Sequence, residues 1–98
     1  MTTNELKEVI EEQVGDKEIF DKIAFLDSEA CSHAAIGLST NHNIIYDYDK
    51  MVEGHMTYDN MTYEEAIDWI DYNTIRTVQH LAARPDTIEP IILHNFIY

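Results

Sequence analysis

Apolar residues recur at helical spacing from the first turn of the chain. Leu6, Val9, Ile10 and Gln13/Val14 form one stripe, with Glu5, Glu8, Glu11 and Glu12 on the other side of the wheel. Thr2 and Glu5 have capping-box spacing, and Gly15 is a C-terminal stop. Asp16 caps a short second turn in which Ile19, Phe20 and Ile23 are apolar. Residues 23–26 fit either a helix end or the start of a strand. Residues 34–39 and 44–48 read as the two strands of a hairpin around Asn41-His42-Asn43, because Asn tolerates left-handed backbone angles. Gly37 inside the first strand marks a bulge or a close backbone contact. Asp49 is expected to cap a helix that runs to about Tyr58 and is broken by Asp59-Asn60. Thr62 then opens the clearest helix, with Glu65 completing a capping box and Tyr63, Ala66, Ile67, Ile70 and Thr74 on one stripe. That helix is expected to end near Thr74 or Ile75, with a further short turn over residues 77–83. Arg84-Pro85-Asp86 reads as a loop, and residues 90–96 as a last strand that starts at a proline.

The order is α, (α or β), β, β, α, α, β. It predicts a single α+β domain over residues 1–98, with a small three-stranded antiparallel sheet packed against three to four helices.

Charge changes this picture more than composition does. Nineteen acids face six bases, a net charge of −13, in a chain whose apolar fraction (45%) is that of a globular protein. Phosphate contacts need Lys and Arg, so direct nucleic-acid binding is excluded, as is docking on an anionic membrane leaflet. The charge is uneven: residues 1–29 hold nine acids and residues 47–76 hold eight, while residues 30–46 hold no Asp, Glu, Lys or Arg. No stretch approaches the roughly 20 apolar residues of a membrane helix, and no signal peptide is visible. With a lone cysteine, Cys31, a cytoplasmic setting is expected.

Candidate chemistry is sparse. His33, His42, His55, His80 and His94 are widely spaced, and none forms the His-x3-His pair that places two imidazoles on one helical face. Asp47 and Asp49 with Glu53 make a carboxylate cluster, but no glycine-rich calcium loop surrounds it. Asp49 is explained as a helix cap and Asp47 as an outward-facing strand residue. Cys31-Ser32-His33 places nucleophile and base types together without a nucleophile elbow. The reading is therefore non-enzymatic, with no catalytic residue, no metal and no cofactor.

The acidic faces remain. Glu64, Glu65, Asp68, Asp71 and Tyr72 fall within about 120° of arc at 100° per residue. Like charges at helical spacing, such as Glu64 and Asp68, repel and are not matched by Lys or Arg partners. Such a face steers towards basic grooves, which nucleic-acid enzymes possess. Among the six tyrosines, Tyr46 and Tyr48 share one strand face and are expected to pack there, whereas Tyr72 on the acidic face is the candidate apolar anchor. Asn73 and Thr74 suit free carbonyls near a helix end, and Arg76 suits its dipole.

Residues 45–51 (IYDYDKM), 61–76 (MTYEEAIDWIDYNTIR) and 90–92 (PII) resemble a family of small acidic proteins from phages, prophages and plasmids of Gram-positive bacteria. The resemblance spans about residues 34–93 and departs from the family pattern over residues 80–86. It implies a genomic setting in which small acidic proteins often inhibit host defence, anti-CRISPR proteins among them. The expectation is a binding protein whose Glu64, Glu65, Asp68, Asp71 and Tyr72 occupy the basic nucleic-acid groove of a host nuclease such as a CRISPR effector. The alternative is a structural or regulatory interaction module of a phage or plasmid, including a homodimer. A small metal-dependent hydrolase is the third reading.

Overall fold

The computed structural model describes residues 1–96, so the terminal Tyr98 lies outside them. Helix α1 (Thr3–Val14) starts on the Thr2/Glu5 capping box and stops at Gly15, whose φ of 67° is the left-handed turn that glycine adopts without strain. Leu6 and Ile10 are its buried residues, while Val9 is exposed and not part of the inner stripe. Asp16 caps α2 (Lys17–Lys22) by accepting the N–H groups of Glu18 and Ile19. The helix ends there. Ile23 makes a single parallel β-bridge with Ile88, so residue 23 is extended.

Helix α3 (Glu29–Ala34), capped by Ser28, occupies a stretch that the apolar pattern leaves unassigned. Ala30, Cys31, Ser32 and Ala34 are all buried, and in a six-residue helix the polar face is reduced to Glu29 and His33, too short to betray a helical period. Small residues let α3 meet the next long helix backbone to backbone. A Cβ added at Gly54 would lie 2.6 Å from the Ala30 carbonyl oxygen.

Strands β1 (Ala35–Leu38) and β2 (Ile44–Asp47) form the expected antiparallel hairpin. The register slips between Ala35 and Gly37, placing a bulge where the glycine suggested one. The left-handed residue of the turn is His42 and not an asparagine. Strand β3 (Ile91–Leu93) adds to the other side of β2 in parallel, giving the order β1-β2-β3. The sheet is mixed, which corrects the all-antiparallel expectation. The physical reason is the long helical crossover between β2 and β3, which carries the chain back to the end where β2 began.

Helix α4 spans Tyr48–Tyr58 and is capped by Asp47, two residues earlier than expected. Asp47 is buried, not outward-facing. One carboxylate oxygen accepts the Lys50 N–H (3.0 Å) and the other the Asn95 amide (2.7 Å). Tyr48 consequently belongs to a helix and shares no strand face with Tyr46. Tyr46 is fully buried, and its hydroxyl accepts the Leu26 N–H at 3.0 Å, which pins residues 24–28 to the sheet.

The last helical segment does not end at Thr74. Helix α5 (Tyr63–Trp69) runs through a π-helical turn (Ile70–Thr74) into α6 (Ile75–Ala82), with the Ile75 N–H reaching the Ile70 carbonyl. The Thr62/Glu65 capping box is present, but Tyr63 is exposed. The extra residue in the widened turn rotates the inner face. Ile70 and Thr74 are buried, and Ile75 and Val78 pack on the core where an unbroken α-helix would present Asn73 and Thr77. The core gathers Leu6, Ile10, Leu26, Ile44, Tyr46, Met51 and Ile70 between α1, the sheet and this bent helix.

Candidate functional site

The five residues singled out in the sequence are all exposed on the outside of α5 and the π-turn. Glu64 and Asp68 make no hydrogen bond or ion pair among the described residues. Glu65 is held by its capping role: its carboxylate accepts the Thr62 N–H at 3.0 Å, and the hydrogen bonds with Thr62 hold it below the usual glutamate range. Asp71 accepts the Tyr48 hydroxyl at 3.2 Å. Burial, then the Asp71 charge, push that hydroxyl up to about 12, so it stays a donor at neutral pH. On its other side Tyr48 stacks on His94 at 4.5 Å. The ion pairs among the described residues are Lys17–Asp21, His33–Glu53 and His55–Asp59, so none neutralises the α5 carboxylates.

Tyr72 is not a bare anchor. The Arg76 guanidinium lies 4.3 Å from the centre of its ring, in cation–π contact. Arg76 therefore sits inside a continuing helix and serves Tyr72, not a helix terminus. Asn73 does bond a carbonyl, donating to Trp69 O at 3.2 Å, within the helix and not at its end.

Beside this face lies a cleft of about 520 Å³ that the sequence reading missed. It opens between Ser28 and Cys31 at the start of α3, His55 and Asp59 at the end of α4, and Trp69 and Asn73 at the widened turn. A shallower depression shares Trp69 and Asn73 with the cleft and includes Glu65 and Asp68. A further one continues over Asp68, Asp71, Tyr72 and Arg76. Cleft and acidic face thus form one connected surface. A signal that could have found it is the i,i+4 spacing of His55 and Asp59, which places both side chains on one helical face.

His55 is 3% exposed. Its Nδ1 lies 2.8 Å from an Asp59 carboxylate oxygen. An ionised carboxylate only accepts, so Nδ1 carries the proton. The second ring nitrogen, Nε2, is buried with no hydrogen-bond partner among the described residues.

Cys31, His55 and Asp59 line the same cleft, but among the described residues no hydrogen bond joins the Cys31 thiol to a histidine. Burial pushes the Cys31 thiol up, with a partial offset from the Ser28 hydrogen bond and a smaller further rise from the Asp59 charge. Its two sequence neighbours are engaged elsewhere. The Ser32 hydroxyl pairs with that of Thr3 (2.8 Å), and His33 pairs with Glu53 (3.1 Å). Among the described residues no group of three His, Cys, Asp or Glu side chains is placed to share a metal ion, and no helix is long and apolar enough to cross a membrane. No protein-family model matches the chain, and no curated protein or solved structure does either.

Proposed function

We propose that the protein is a non-enzymatic inhibitor carried by a mobile genetic element, acting in the bacterial cytoplasm. In this reading Glu64, Glu65, Asp68 and Asp71 present a strand-like row of charge to the basic nucleic-acid groove of a host defence nuclease, of the kind that CRISPR effectors possess. The supporting observation is that these four carboxylates stand exposed along two helical turns, with Arg76 a nearby cation and no ion pair to them among the described residues. Residues 64 to 71 rise about 10 Å along the helix, so four charges at axial steps of about 1.5, 4.5 and 4.5 Å give a mean charge density comparable to the roughly 3.4 Å per phosphate of one nucleic-acid strand. Tyr72, stiffened by Arg76, adds apolar area at the end of the row. The resemblance to phage and plasmid proteins supplies the setting, and the net charge of −13 supplies long-range steering.

The test is DNA cleavage by purified RNA-guided effectors of Gram-positive hosts, with and without the protein. The reading expects inhibition of at least one effector, relieved by added salt and by the double variant Glu64→Lys/Asp68→Lys. Inhibition indifferent to both would refute the charge mimicry, and no inhibition of any effector would refute the function.

A second reading, an interaction module that pairs with its own copy, is favoured by one observation. Strand β1 is an open sheet edge, and Ile36 on it and Val9 on the neighbouring α1 are 45% and 46% exposed beside an apolar groove. A dimer that persists on gel filtration and is dispersed by Ile36→Lys is its expected signature.

A further inference from the structure

The orphaned nitrogen of His55 carries an inference that the acidic-face reading does not need. A buried polar atom left without a partner is costly, on the order of 1–3 kcal/mol, and native proteins seldom retain one without a reason. Here the reason lies in the surroundings. His55 lines the cleft together with Asp27, Asp59 and the half-exposed indole of Trp69. The wall of the cleft at the widened turn is a π-helical segment, a feature frequent at functional sites.

These groups select a chemistry. In the tautomer with Nδ1–H directed at Asp59, Nε2 is the acceptor nitrogen. An occupant must therefore bring a donor. Asp27 and Asp59 repel an anionic head, as does the whole chain at −13. Trp69 offers an aromatic face, which attracts a cation, above all a planar one that can stack. A single head group meets all of these demands, namely a planar cation rich in N–H.

We propose that the cleft between α3, α4 and the π-turn is a binding site for a guanidinium group, with His55 Nε2 accepting one N–H, Asp27 and Asp59 balancing the charge and Trp69 stacking on the plane. The guanidinium can arrive on a free arginine-type small molecule or on an arginine side chain of a partner protein.

Trp69 is the only tryptophan in the chain, so its fluorescence reports on the cleft and the depression beside it, and the Asp27 and His55 variants assign the signal to the cleft. The experiment titrates the full-length protein with N-acetyl-argininamide at constant ionic strength. Sodium chloride, tetramethylammonium chloride and N-acetyl-glycinamide serve as controls. The expected result is a saturable change with the guanidinium compound and none with the controls. The change should weaken roughly tenfold in Asp27→Asn and vanish in His55→Phe. Asp27 is exposed, so its variant keeps the fold even where His55→Phe does not. A response that fails to saturate, that tetramethylammonium reproduces, or that Asp27→Asn leaves unchanged overturns the proposal. A glycine-flanked arginine peptide then separates the sources. Binding as tight as the capped amino acid assigns the site to a side chain of a partner, and binding of free arginine without the peptide assigns it to a small molecule. The variant Glu64→Gln, which removes a carboxylate of the acidic face outside the cleft and the depression, should titrate as the parent does, so loss of nuclease inhibition and loss of guanidinium binding are separable failures.

Discussion

The acidic face of α5 and the cleft beside it share Asp68 and Trp69 as neighbours in sequence, yet they are built by opposite means. The face is local. Its carboxylates lie within eight consecutive residues, its capping box closes over four, and each side chain points outward because the opposite stripe of Ala66 and Ile70 is buried. The cleft is assembled from residues 26 to 77 and exists only when α3, α4 and the π-turn are docked. A face made of exposed charge tolerates substitution and is read by salt. A cleft made of packed backbone tolerates little and is read by shape.

That difference orders the expected effects. The largest belongs to the close helix contact beneath the cleft. Gly54→Ala drives a methyl into the Ala30 backbone, and we expect a loss of about 3 kcal/mol in urea unfolding, at the upper end of overpacking costs. Next is Tyr46→Phe. It leaves the Leu26 N–H buried without its acceptor and loosens residues 26–28, which form one rim of the cleft, for about 1–3 kcal/mol. An unchanged midpoint in either variant would mean that the cleft is not held by packing.

Asp47→Asn ranks third, at about 1 kcal/mol, the usual worth of a helix cap. It also carries a pH signature. Burial alone would raise the Asp47 carboxyl, but the Asn95 amide and the Lys50 and Asp49 N–H groups outweigh it, and the net shift is downward. A group lowered in the folded state stabilises fully above its ordinary value, near 4, and loses that contribution as pH falls through the folded value. The parent should therefore lose stability on acidification more steeply than Asp47→Asn. Parallel acid limbs would contradict the account of Asp47. The smallest effect on stability is expected for Glu64→Lys/Asp68→Lys, within about 0.5 kcal/mol, since neither side chain has a partner to lose.

The same divide explains what was legible in the sequence. Short-range codes read correctly: both capping boxes, the Gly15 stop, the Asp16 cap, the Asn60 break, the hairpin and its bulge near Gly37. Exposure of Glu64, Glu65, Asp68, Asp71 and Tyr72 followed from the same helical period. What failed depended on distant partners. The direction of β3 is set by a crossover, and periodicity says nothing of that. The cap at Asp47 competes with one at Asp49, and the deciding contact is Asn95, far along the chain. Helix α3 is six residues long and shows only Glu29 and His33 to solvent, too few to mark a period. The π-turn cannot be seen in the apolar stripe, since an inserted residue looks like a helix end followed by a new start. The cleft combines two of these misses, α3 and the π-turn, which is why its histidine read as an ordinary one.

The central claim is that the exposed carboxylates of α5 are the working surface. The most direct measurement is the concentration for half-inhibition of an RNA-guided nuclease, at about 50 and about 200 mM salt, for the parent and for Glu64→Lys/Asp68→Lys. The account predicts that the parent weakens roughly tenfold or more across that range, and that the folded double variant fails to inhibit even at the lower salt. Equal potency of parent and variant, or a parent indifferent to salt, would contradict it.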